Sequence, residues 1–448
     1  MRVPVLAVLP SQEPLVESAI ASVQRRQPAI PLDTARTPAR LQVDYSFPAV
    51  PLGTGNRHFL SLEAIQPKAS ENFVVRGTVE VENADVVPEA VDGVRLFADP
   101  PIAPFLTCGG DPPVGGVPSV QAQLNIAALA ARGLDGKKVA VAIMDTGINL
   151  AHLAAKRGTP PRFDAANSWS APGNPTAPGL HPVHHGTMCA FDALIAAPQA
   201  TLLDYPVLSG NAAGGALVGS TLSVAIQAYA HLIAFWAVSF APGGAPLYSG
   251  LVVNNSWGIF HPSWDFPVGH PGRFIDNPGH PFYAFLSLLA RNGADILFAA
   301  GNCGSNCPDG RCRNRTVHSI MGASAYQDVL TVGGCDTTNL RVGYSSQGPS
   351  IPNMFPQKPD LVTYTHFLGS EAFGAGSPDS GTSAACPVAA GCVAALRTRL
   401  SPAATPPGNL FSQLRTTARP AASMPAGWNG DYGYGILDPD AAAHSLGV

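Results

Sequence analysis

What most constrains the fold of this chain is a set of short apolar runs separated by helix-length segments. After its lysine, Lys138-Val139-Ala140-Val141-Ala142-Ile143-Met144 is apolar at odd and even positions alike. A strand sends successive side chains to opposite faces, so a run with no polar face predicts burial on both sides. Residues 201–207, 251–255, 296–300 and 329–332 are further short apolar strands, and helical stretches such as 121–132 lie between such runs. This alternation predicts an α/β fold, a doubly wound and mostly parallel sheet with helices on both faces. Chemistry in such sheets gathers at the carboxyl ends of the strands.

With 448 residues there is room for one large domain and a smaller one. Hydrophobic residues make up 46% and charged residues only 12%, enough apolar material for a sizeable core. The formal net charge is −4 and no long basic run occurs, which argues against nucleic acid or an anionic membrane as partner. Residues 222–241 carry no charge, but Gln227 and His231 interrupt them, and they read as a core helix followed by a loop rather than a membrane span. The first ten residues are apolar, broken by Pro4 and Pro10 and followed by Glu13 and Glu17, so no signal peptide is recognisable. A cytoplasmic location is the default that follows. The low charge and a cysteine-rich loop suit an exported protein as the alternative.

Texture divides the chain into parts. Residues 1–39 are rich in Pro and Ala with weak periodicity, and are expected to be a flexible leader. Residues 40–103 predict a small α+β unit: strands at 59–65 and 73–81, a short helix at 88–94, and a strand at 95–98. A Pro- and Gly-rich linker is expected over 104–118, and 119–448 holds the α/β domain. Of the eight cysteines, Cys303, Cys307 and Cys312 cluster. Their spacing fits no standard zinc pattern, so a loop disulfide is expected and no metal site is assigned. Cys386 and Cys392 sit in apolar helical sequence and are expected to pack as small hydrophobes.

Three segments carry chemistry. Asp145-Thr146-Gly147 closes the strand 138–144, where a carboxylate can face a cleft. His184-His185-Gly186-Thr187 opens an apolar helix. Ser383, in Gly381-Thr382-Ser383-Ala384-Ala385-Cys386-Pro387, opens an Ala-rich helix whose free amides and positive dipole end favour an anion beside the hydroxyl. Taken singly, these read as a turn aspartate, a structural histidine and a helix-capping serine. Together they supply a nucleophile, a base to take its proton and a carboxylate to orient that base.

In these motifs the chain resembles the subtilisin-like serine protease family, whose members place the three residues in this order, Asp, His, Ser. The resemblance extends over about residues 120–445. It implies a serine endopeptidase with Asp145, His185 and Ser383 as catalytic triad, acting on peptide or protein substrates through an acyl-enzyme. By the same resemblance Asn302, in Phe298-Ala299-Ala300-Gly301-Asn302, donates its amide to the oxyanion beside the Ser383 N–H, and Ala300 and Gly301 border the substrate. Ser256, Trp257 and Gly258 resemble the family's substrate-binding strand, with Trp257 either bordering a pocket or packing in the core. No cofactor is implied for the chemistry. Structural calcium remains an unassigned expectation, because Ala154 stands near where many relatives have a calcium-binding acid. Residues 40–103 resemble an inhibitory prodomain, with the tail near 97–104 lying in the cleft and cleavage within 99–118. An accessory domain that is never removed is the other reading. Two different outcomes keep the same motifs: a peptide-ligating or cyclising enzyme, and an inactive peptide-binding module.

Overall fold

A computed structural model describes residues 1–10, 41–44, 47–52, 72–83, 86–91, 93–105, 111–208, 210–211, 218–239, 247–422, 424–425 and 427–448. The N-terminal unit is an antiparallel sheet of β1 (Arg2–Pro10), β2 (Leu41–Val43), β3 (Val50–Leu52), β4 (Asn72–Glu80), β5 (Ala90–Val91) and β6 (Val94–Ala98). The order is β2-β4-β1-β6-β5, with β3 also beside β4. The expected leader is therefore corrected at its start. Arg2–Pro10 is an interior strand, paired with β4 from Arg2↔Glu80 to Pro10↔Asn72. Pro4 does not prevent this, because β6 pairs only with Val5, Leu6 and Ala7, and the missing N–H falls outside that stretch.

The helix expected over 88–94 is a β5–β6 hairpin instead. Gly93 has φ +83, and Asp-Gly between two apolar runs is hairpin chemistry that a helix reading overlooks. The strand expected over 59–65 lies outside the described residues. Val5, Ala7, Val75, Leu96 and Ala98 form a small core on one face, to which the large domain adds Phe266. Leu6, Val74 and Phe97, on the opposite face, merge with a core cluster of the large domain. One strand period thus serves two cores. The linker expected over 104–118 is corrected at both ends: the strand β7, Pro101–Pro104, runs into its first residue, and a helix begins at Val117.

The large domain adds β8 (Val139–Met144), β9 (Arg162–Phe163), β10 (Thr201–Tyr205), β11 (Gly210–Asn211), β12 (Val218–Thr221), β13 (Gly250–Asn255), β14 (Trp257–Gly258), β15 (Asp295–Ala299), β16 (Leu330–Cys335) and β17 (Leu361–Tyr364). Seven of these form a parallel sheet in the order β17-β16-β15-β13-β8-β10-β9. Every residue of β8 is buried, as its two-sided apolar run requires. Val139, Val141 and Ile143 pack with Met188 and Ala193 of helix His185–Ala196 and with Val388 and Val393 of helix Thr382–Arg397. Ala140, Ala142 and Met144 face Ala225 and Leu232 of helix Leu222–Ser239 and Phe282 and Leu286 of helix Pro281–Arg291. Each such large side chain, once buried, contributes about 1.5–3 kcal/mol. No helix among the described residues is long and apolar enough to cross a membrane. The helix expected over 121–132 is divided at Asn125, whose φ of 50 is left-handed, into Val117–Gln123 and Ile126–Ala131.

Candidate active site

Asp145 follows β8 directly and is fully buried. The Thr146 N–H donates to its Oδ1 at 2.7 Å. His185, the first residue of its helix, places Nδ1 2.9 Å from Asp145 Oδ1 and 3.0 Å from Oδ2. The residue after it has to be small: a Cβ on Gly186 would stand 2.6 Å from the Gly147 carbonyl oxygen. Gly186 instead donates its N–H to Thr146 Oγ1 at 2.8 Å, so the two motif turns lock together. Asp204 lies behind them and accepts from the Gly179 and Ile148 N–H groups at 2.8 and 3.2 Å. Its pKa is pushed up to about 7, chiefly by burial, with the Asp145 charge adding to the rise against the lowering by those two N–H bonds.

Ser383 lies in the first turn of helix Thr382–Arg397, close to Asp145 and His185. The Cys189 thiol reports the convergence: it lies 3.6 Å from Asp145 Oδ2, 3.8 Å from His185 Nδ1 and 3.5 Å from the Ser383 carbonyl oxygen. Burial and the Asp145 charge hold that thiol well above its usual pKa, so it packs as a neutral group. Pro387, four residues on, has no N–H to give the Ser383 carbonyl. The Ser256 hydroxyl replaces it, donating to that carbonyl at 3.0 Å. The helix end bearing Ser383 is thereby tied to the segment between β13 and β14. The Ser383 hydroxyl itself donates toward the Phe105 carbonyl at 3.1 Å and the Ser256 carbonyl at 3.2 Å. His185 Nε2 is buried without a hydrogen-bond partner, so no hydrogen bond joins the imidazole to the Ser383 hydroxyl.

Asn302 follows β15 and is fully buried. Its Oδ1 accepts from the Thr382 N–H at 2.9 Å and the Thr382 hydroxyl at 3.0 Å, which fixes the amide plane and leaves Nδ2 on the side of Gly381. Beyond Asn302 the chain makes a loop closed by a Cys303–Cys312 disulfide, and Cys307 is disulfide-bonded too. Cys386 and Cys392 are free and buried.

The chain's own β7 lies between β12 and β14 as the third antiparallel strand of a small sheet. Pro101 and Ile102 face Thr221 and Ser220, and Ala103 and Pro104 face Gly258 and Trp257. The Phe105 N–H points at the Ser256 carbonyl at 3.4 Å. The Phe105 ring packs edge-on against Phe260, with centroids 5.1 Å apart, and over Gly258, where a Cβ would come within 2.5 Å of its Cζ. Upstream, buried contacts fasten the strand: Asp99 accepts from the Ser223 N–H at 2.7 Å and its hydroxyl at 2.8 Å, and His280 Nε2 lies 3.0 Å from the Ala98 carbonyl.

Of the residues expected here, Asp145, His185, Ser383 and Asn302 gather at the carboxyl ends of the central strands. Ser256, Gly258 and Gly301 line the groove that Phe105 occupies; a Cβ on Gly301 would reach Phe105 at 3.4 Å. Trp257 is divided between its two readings. Its backbone pairs with Pro104, but its indole is fully buried against Phe282 and Phe298 as a core aromatic. Ala300 is a buried core residue whose N–H bonds the Val332 carbonyl. Sequence reasoning missed Phe105, Phe260 and Arg311. The aromatic at the edge of a Gly-rich stretch was the available signal for Phe105.

The family profile of the Subtilase family of peptidases matches residues 136–435, and the chain belongs to that family. Among solved structures it is similar to fervidolysin from Fervidobacterium pennivorans, a keratinolytic enzyme related to subtilisin, with TM-score 0.56 and 16% identity over 99% of this chain. The match covers 61% of the fervidolysin chain, so this chain spans less than two thirds of that relative. It is also similar to MycP1 with the N-terminal propeptide removed (TM-score 0.47, 21% identity, 72% of this chain and 96% of that one). A third match is the MycP3 protease from the type VII (ESX-3) secretion system (TM-score 0.48, 21% identity, 77% and 92%).

Proposed function

We propose that this chain is a serine endopeptidase made with its own segment 101–105 seated in the cleft. The observation that carries the reading is the Phe105 carbonyl 3.1 Å from Ser383 Oγ, at the end of a strand held on both edges by the groove. An extended peptide bound by strand addition presents one carbonyl to a fixed nucleophile. Rotation of the Ser383 hydroxyl toward His185 Nε2 gives it a base, and Asp145 holds Nδ1–H and stabilises the imidazolium. Oγ then bonds to the carbonyl carbon while the proton passes to His185. Asn302 Nδ2 and the Ser383 N–H receive the negative oxygen. Collapse breaks the C–N bond, the leaving amine takes the proton, and water repeats the sequence on the ester. The residues named here suffice for these steps without a cofactor.

In this reading the N-terminal unit is an inhibitor, and the bond after Phe105 is the first substrate. Other substrates are peptides or proteins with an aromatic residue at the position of Phe105 and an aliphatic one at that of Ile102, which is fully buried. The test is incubation of the purified full chain, followed by intact mass, N-terminal sequencing and a fluorophosphonate probe. The expected result is a cut after Phe105 and a label on Ser383. An intact chain that never takes the label would refute the reading.

A further inference from the structure

The loop after Asn302 carries one side chain into the groove. Arg311 Nη2 donates to the Pro104 carbonyl at 2.9 Å. The guanidinium is held in place twice over. Asp309 accepts from Nε at 3.0 Å and from Nη2 at 2.8 Å, and Cζ sits 3.6 Å from the centroid of Phe260, the ring that walls Phe105. The loop is itself fixed on the oxyanion side, through the Cys303–Cys312 disulfide and the Asp309 N–H to Asn302 carbonyl bond of 2.8 Å. Among the described residues the β12 pairing covers Pro101 and Ile102, while β14 flanks Ala103 and Pro104, and the Pro104 carbonyl is met by the Arg311 side chain.

We propose that Arg311 is a substrate-binding residue, which clamps the backbone carbonyl of the residue preceding the one cleaved. This rests on the hydrolase reading above and assigns a contact within it. A guanidinium oriented by a carboxylate and a ring loses little freedom on bonding a carbonyl. It therefore recognises any extended peptide with an acceptor at that position, and through Phe260 it couples that contact to the aromatic pocket. A hydrogen bond to a charged group that is only partly exposed is worth about tenfold in binding.

The test uses two peptide anilides of sequence Ile-Ala-Pro-Phe, one normal and one with a thioamide, a poorer acceptor, in place of the Pro-Phe amide. Each is offered to the full chain, incubated until its rate is constant, as wild type, Arg311→Gln and Asp309→Asn. The wild type is expected to lose about tenfold in kcat/KM on the thioamide. Arg311→Gln loses about tenfold on the normal peptide and less than about twofold more on the thioamide, and Asp309→Asn falls between. If Arg311→Gln keeps the full thioamide penalty, the residue is merely structural and the proposal fails. If Arg311→Gln matches wild type on both peptides, the proposal fails while the hydrolase reading stands. If the wild type cleaves neither peptide and Ser383 takes no phosphonate label, the hydrolase reading falls and takes the clamp with it.

Discussion

Gly258→Ala should invert the side-chain preference of the groove. The added Cβ would stand 2.5 Å from Phe105 Cζ and 3.3 Å from both Cε atoms, nearer than side-chain carbons approach one another. The ring has little room to move, because it is 4% exposed and leans on Phe260. Burial of a Phe side chain is worth about 1.5–3 kcal/mol. Forcing the ring partly out forfeits most of that, about 2 kcal/mol or some thirtyfold. An alanine in the same position does not reach the new methyl. On Ile-Ala-Pro-Phe and Ile-Ala-Pro-Ala anilides, measured well below KM, the ratio of kcat/KM values should therefore fall by about thirtyfold, with the alanine substrate within about twofold of wild type. Self-cleavage after Phe105 should slow in step, and Phe105→Ala should restore it. An unchanged ratio would show that Phe105 does not mark the pocket. Equal losses on both substrates would mean that the methyl damages strand β14 instead.

Other outcomes follow from the same contacts. Ser383→Ala should lower turnover by about a million-fold, the loss known for subtilisin itself, and leave the chain uncut on intact-mass analysis. Ser256→Ala removes the donor that Pro387 cannot supply to the Ser383 carbonyl, and should lower the denaturation free energy by about 1–3 kcal/mol; an unchanged midpoint would count against that bond. Burial raises Asp99 to about 6, against lowering by its Ser223 bonds, and lowers His280 to about 4. The Asp99 contribution to stability is thus full below about 3.8 and lost as pH rises through about 6, whereas that of His280 is full above about 6.5 and lost as pH falls through about 4. Denaturation of the uncut Ser383→Ala chain should show Asp99→Asn gaining on its parent as pH rises through this window, and His280→Asn gaining as pH falls, each by on the order of 2–3 kcal/mol. Curves parallel to the parent would contradict the assignment.

The large domain was legible because its strands are apolar on both faces, a pattern few other folds require, and β8 shows it in every residue. The three motifs were legible because polar side chains brought together at strand and helix ends need small, turn-forming neighbours, as Gly186 shows. The N-terminal sheet was harder to read. Its strands pair across long separations, with Arg2 beside Glu80, and Pro4 looks like a breaker until the partner strand is known to stop short of it. Phe105 and Arg311 could not be read at all as a pair. Arg311 bonds the Pro104 carbonyl across 207 positions of sequence, and both side chains lean on Phe260 only because the loop after Asn302 folds back over the groove. Trp257 shows the limit from the other side: adjacent residues of one strand face opposite ways, and sequence alone left its direction open.

The tie between Pro387, the Ser383 carbonyl and Ser256 has a consequence for the product ends. Under the proposed function the Ser383 hydroxyl is tied to the edge that receives the peptide, and the aromatic pocket of Phe105 selects which residue lies beside it. In that reading cuts should fall behind aromatic residues, and the fragments should carry a narrow set of termini rather than a ragged ladder.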